Sequence, residues 1–159
     1  MANDQGRFIL CLAMLLFVPC LAASEVADWV DIEGAYVRAV PPGQPNSAVF
    51  MAITNRDEID HALTDATTDA AGVVELHTHA LVEGMMQMRT VERIDLPARE
   101  TVRLAPGGLH IMLIDLRRPL QPGERIEMEL TFDDGGVARV AAPVQSIDSS
   151  LSAPHDRHP

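Results

Sequence analysis

The sequence predicts an all-β fold, an antiparallel sandwich or barrel, and three observations carry that prediction. From Val30 onward apolar residues alternate with polar ones at period two rather than 3.6. Clusters of Pro, Gly, Asn and Asp break the alternation about every 8 to 12 residues. No stretch carries a sustained helical stripe, and no internal repeat of fixed period is present.

The elements follow in order. A first strand over 32–40 closes at Pro41-Pro42-Gly43, where proline can no longer donate to a ladder. A second over 47–54 stops at Asn55-Arg56-Asp57. The third and fourth, over 61–67 and 73–79, flank a short turn or helical twist at 68–72. Strands over 86–92 and 100–104 come next, and Pro106-Gly107-Gly108 makes a tight turn into a strand over 109–116. Strands over 125–132 and 137–144 bring the expected number to nine. After Val144 the alternation fades into Ser, Asp and Pro, the composition of a flexible tail.

The first residues belong to targeting rather than fold. Arg7 precedes an apolar run over 8–18, and Ala22-Ala23-Ser24 supplies the small residues a signal peptidase prefers. The run is short of the roughly 20 residues a membrane span needs, and no second candidate follows. The expected organisation is a secretory signal over 1–24, a β-sandwich domain over 25–145 and a C-terminal tail over 146–159, with the mature chain in the periplasm and without a membrane span. Acylation at Cys20 is the competing reading, although Pro19 stands where lipidation wants a small residue.

Charge and cysteine content then exclude whole classes of function. With 12 basic and 23 acidic residues the net charge is −11, which disfavours a nucleic-acid partner. Both cysteines, Cys11 and Cys20, lie in the expected signal, so the mature domain has no thiol. Disulfides, a cysteine nucleophile and thiolate metal sites are thereby excluded. No H-E-x-x-H, G-x-S-x-G or glycine-rich phosphate cradle is present, so an enzyme is not expected.

Residues two apart share a strand face, which makes pairs of His77 with His79, Met86 with Met88, and His110 with Met112. Each has a plain alternative: Met112 sits in an apolar strand as core filler, and His110 alone is an ordinary hydrogen-bonded histidine. Together, neutral nitrogen and soft sulfur donors without thiolate suit Cu(I) better than zinc, magnesium or calcium. A blue-copper electron carrier would need a Cys ligand, which is lacking.

The spacing H-x10-M-x21-H-x-M, made by His77, Met88, His110 and Met112, resembles the periplasmic copper chaperones called PCuAC. The flanks are similar too: Val74-Glu75-Leu76-His77, Met86-Gln87-Met88-Arg89, Leu104-Ala105-Pro106-Gly107-Gly108-Leu109-His110-Ile111-Met112-Leu113 and Leu116-Arg117-Arg118-Pro119-Leu120. The resemblance implies a Greek-key, cupredoxin-like β-sandwich holding one Cu(I) through His77, Met88, His110 and Met112. It also implies delivery by ligand exchange to the dinuclear copper centre of cytochrome c oxidase subunit II. His79 and Met86 each share a strand face with an expected ligand and are candidates for an alternate donor or for a supporting residue behind one, and His61 is expected to be structural. His155 and His158, near Asp156, offer the nitrogen and oxygen donors of a weaker Cu(II) site. A structural or adhesive exported sandwich, with the His and Met residues as packing, is the alternative.

Overall fold

The computed structural model describes residues 28–82 and 84–146. The expected signal with Cys11 and Cys20, and the tail histidines His155 and His158, lie outside them. The described chain is all-β, with ten strands: β1 (Val30–Arg38), β2 (Ser47–Asn55), β3 (His61–Thr67), β4 (Ala71–Val82), β5 (Met85–Thr90), β6 (Ile94–Leu96), β7 (Thr101–Leu104), β8 (His110–Leu116), β9 (Arg125–Phe132) and β10 (Val137–Gln145). All nine expected strands are present. The tenth, β6, has three residues, too few for alternation to register, and it exists because it pairs with β3. The expected twist at 68–72 contracts to a turn, and β4 begins at Ala71 because it pairs with Leu116.

One sheet runs β5-β4-β8-β2-β1 and the other β10-β9-β3-β6; they join where β1 lies parallel to β10, Val37 beside Val144 and Arg38 beside Gln145. Between them lies one apolar core. The strand β9 shows how the alternation builds it. Ile126, Met128, Leu130 and Phe132 are all buried, while the residues between them are exposed or half-buried. Full burial of each such side chain contributes about 1.5–3 kcal/mol relative to exposure. Facing them from the first sheet are Val49, Met51 and Ile53 of β2 and Ile111 and Leu113 of β8.

Buried polar groups away from the outer face of β4 are paired, as Asn55 shows. Asn55, fully buried, donates through Nδ2 to the carbonyls of Ile59 and Leu96, both at 2.9 Å, and its Oδ1 accepts the Asp57 N–H. The loop after β2 is thus pinned to β6. On the second sheet His61 lies between Asp57 (3.0 Å) and Asp133 (3.5 Å), joining two loops, which is the structural role expected of it.

The feature that positions the site is a change of partner along β2. Its outer edge pairs first with β8, at Ser47 to Val49, then with β7, at Met51 to Thr54. β7 and β8 therefore follow one another along a single edge, and the turn joining them leaves the sheet opposite Phe50. The Ala105 N–H donates to the Leu109 carbonyl, the Gly108 N–H donates to Ala105, and Gly107 takes a φ of +82° that L side chains rarely adopt. His110, the first residue of β8, emerges from this turn.

Candidate metal site

Strand register brings the candidate ligands onto one face. On β4 and β8, His77 pairs with His110 and Glu75 with Met112; on β4 and β5, His79 pairs with Met88 and Thr90 with His77. Directly paired residues share a face, as do residues two apart on one strand. The intervening residues Leu76, Ile111 and Leu113 are buried in the core, so the His and Met side chains occupy the outer face.

That face is nevertheless not open at its centre. Phe50 of β2, only 3% exposed, is covered by the Tyr36 ring at 5.2 Å, by His110 at 6.3 Å and by the Arg38 guanidinium at 5.3 Å. A bulge between Glu33 and Tyr36, with Gly34 at a φ of +60°, sets Tyr36 opposite Phe50. The resulting row of rings supports the imidazole of His110 from one side.

His110 is 2% exposed, and its Nδ1 lies 3.0 Å from the Gly108 carbonyl. A carbonyl can only accept, so Nδ1 carries the proton and Nε2 keeps its lone pair. Burial lowers the His110 pKa from the usual 6.5; the Gly108 bond works against that, and His79, His77 and Arg38 add to the lowering. The neutral, ligating form is the favoured one.

Around His110 opens a cavity of about 370 Å³, lined among others by His79, Met88, Met112, Phe50 and Arg38. Three of the four expected ligands, Met88, His110 and Met112, therefore share one opening. The fourth, His77, stands beside it, its ring 5.7 Å from that of His110. Its Nε2 lies 2.7 Å from Glu75 Oε2 and 3.2 Å from Thr90 Oγ1, while its Nδ1 is buried without a partner. A histidine held by a carboxylate on one nitrogen presents the other in a fixed direction. His79 takes a place in the cavity wall, 5.3 Å from the His110 ring, whereas Met86 stands out in solvent, 59% exposed.

The donor set decides which ions such a mouth can hold. Among the described residues no three His, Cys, Asp or Glu side chains form a metal-binding group, so a metal held here depends on methionine sulfur. No carboxylate lines the cavity, and Arg38 is the one permanently charged residue in its wall among the described residues. Hard dications gain little from such a wall, and a soft monovalent ion is well matched to it. Sequence reasoning did not single out Phe50, Arg38 or Glu75 as parts of the site. Phe50 reads as core and Arg38 as surface, and their contacts with one another and with His110, together with their place in the cavity wall, reveal them. Glu75 stands two residues before His77 on one strand face, a signal the alternation does carry.

Comparison with known proteins places the fold. A solved structure described as "Copper-bound PCuAC domain from PmoF2" has the same fold, with a TM-score of 0.64 at 24% identity, over 74% of this chain and 93% of that one. The structure of "CuI-DR1885" from Deinococcus radiodurans is 38% identical with a TM-score of 0.60, over 70% of this chain and 75% of that one. Among curated proteins, "Putative lipoprotein Lxx21020" of Leifsonia xyli subsp. xyli is 34% identical over 125 residues, 78% of this chain and 74% of that protein. The profile of the family described as "Putative lipoprotein LpqE-like" matches residues 30–144, from the first residue of β1 almost to the end of β10. The chain belongs to the LpqE-like family and is built on the fold of the PCuAC domains.

Proposed function

We propose that this chain is an exported copper chaperone, which holds one Cu(I) through His77, Met88, His110 and Met112 and gives it up by ligand exchange. The observation that carries the reading is His110. It is a buried imidazole whose proton is committed to Gly108, which leaves Nε2 with a free lone pair in a residue that lines a cavity with two thioethers. The likeness to a protein whose structure is described as holding Cu(I), at 38% identity, supports the same ion. Copper is cargo in this reading, and the chain performs no chemistry on it.

The arrangement suits transfer as well as capture. Met88 lies on β5, the edge strand, and is 46% exposed, whereas His110 is buried. A recipient's ligand can displace Met88 first and His110 last, keeping the ion coordinated throughout. A dinuclear copper centre such as that of cytochrome c oxidase subunit II is the recipient we propose. His155 and His158 would serve as a weaker Cu(II) capture point. The lipoprotein descriptions of the family and of the Leifsonia relative support export, with Cys20 as the residue a lipid would modify. Among the described residues no helix is long and apolar enough to cross a membrane.

The test is a Cu(I) titration against a chromogenic chelator. The wild-type chain is expected to withdraw Cu(I), and the double variant His110→Ala with Met112→Ala to leave it with the chelator while circular dichroism still reports strands. Equal retention by the two proteins moves the site elsewhere. Failure of both to compete favours a structural sandwich.

A further inference from the structure

The outer face of β4 carries two histidines, and the spacing pattern uses only one. His77 and His79 are two residues apart, so both rings stand on the face that holds His110. Their ring centres lie 5.7 and 5.3 Å from that of His110. Two imidazoles on one ion, at metal–nitrogen distances of about 2.0–2.1 Å (the value for zinc) and a tetrahedral angle, have ring centres about 5 Å apart. Either histidine therefore reaches an ion on His110 with a small side-chain shift. Each also has a buried Nδ1 that no protein group pairs. An orphaned buried nitrogen in a native fold asks for an ion or a water.

Their surroundings differ in a useful way. His77 is 12% exposed at its side chain and held through Nε2 by Glu75 and Thr90. Among the described residues no carboxylate is paired with His79; it faces Met88 across the β4–β5 ladder and lines the cavity with Met112 and His110. The cavity wall alone thus offers two nitrogens and two sulfurs before His77 is counted.

We propose that His79 is an alternative nitrogen ligand of the copper site, taking the place of His77. Either histidine of β4 completes a four-donor set with His110, Met88 and Met112, and the ion passes between them without losing coordination. His79 in the cavity wall meets the ion first, and His77, fixed from behind by Glu75, holds it deeper. The inference deepens the copper reading and rests on it.

Glutamine substitutions test it, because the amide can still bond to Glu75 but is a poor ligand for Cu(I). In competition with the chelator, His77→Gln is expected to stay within roughly tenfold of wild type. Adding His79→Gln to it is expected to cost a further tenfold or more, at least the 10- to 100-fold that disturbing a ligand's supporting residue typically costs. Equal affinity of the single and double variants overturns the inference while leaving the copper reading in place. A wild-type chain that cannot retain Cu(I), or a His110→Ala variant that retains it undiminished, overturns both. A second readout needs no variant: on adding Cu(I) to the wild-type chain, the side-chain nitrogen resonances of His79 should shift together with those of His110. A stationary His79 signal overturns the inference as well.

Discussion

His110 shows how a single residue is prepared for its task. Burial disfavours its charged form, and His77, His79 and Arg38 add to that, while the Gly108 carbonyl fixes which nitrogen keeps the lone pair. Its pKa in the fold therefore lies below the ordinary 6.5. Above pH 6.5 the group is neutral in both folded and unfolded chains, and its contribution to stability is complete. As pH falls below 6.5 the unfolded chain takes up the proton first, so stability declines until the folded-state pKa is reached and then changes no further on this account. Side-chain NMR of the copper-free protein should find His110 titrating below an exposed histidine in the same sample. A midpoint at or above 6.5 would show that burial does not control it. The pairs His77 with His79, Met86 with Met88 and His110 with Met112 were legible in the sequence because strand periodicity puts i and i+2 on one face, while the spacing that joins them into one set came from the family resemblance. The carboxylate behind His77 is Glu75, two residues earlier on the same face of β4, and the same periodicity could have found it. The rings beside His110, Phe50 and Tyr36, come from strands distant in the chain, and no local pattern announces them.

At the scale of elements, the site depends on β4 and β8 keeping one register from Ala71–Leu116 to His77–His110. Gly72 faces Asp115 within that ladder. A Cβ added at Gly72 would stand 2.8 Å from Asp115 Oδ2 and 3.2 Å from Asp115 Cβ, and Asp115 already carries a φ of +57°. The carboxylate can swing aside, but its Cβ cannot without moving β8. Gly72→Ala is therefore expected to destabilise by about 1–3 kcal/mol, the range for overpacking. Asp115→Gly removes both the obstacle and the strained backbone angle, so the double variant should recover most of the loss in urea unfolding. Additive losses would place the clash elsewhere. Most strands were legible for the reason this ladder is rigid: one face is apolar and the other is not. β6 was not legible, since three residues become a strand only through β3, and neither was the sharing of β2 between β7 and β8, which is a property of pairing.

For the whole molecule, the question is whether a site confined to one sheet is felt by the other. The proposed ligands come from β4, β5 and β8, all in the first sheet, while the core is shared between both. Met51 of the first sheet and Met128 of the second are each almost wholly buried in that core, 3% and 1% exposed. Their methyl signals report the two sheets separately. A ligand that binds the folded chain alone stabilises it by about 4 kcal/mol when present at a thousandfold its dissociation constant, less whatever it gains from the unfolded chain. Because packing couples the sheets, Cu(I) should raise the urea midpoint of both methionines equally, in one transition, and the His110→Ala, Met112→Ala protein should show no rise. If Met51 moves and Met128 does not, the sheets unfold separately, and the single core does not join them into one cooperative unit.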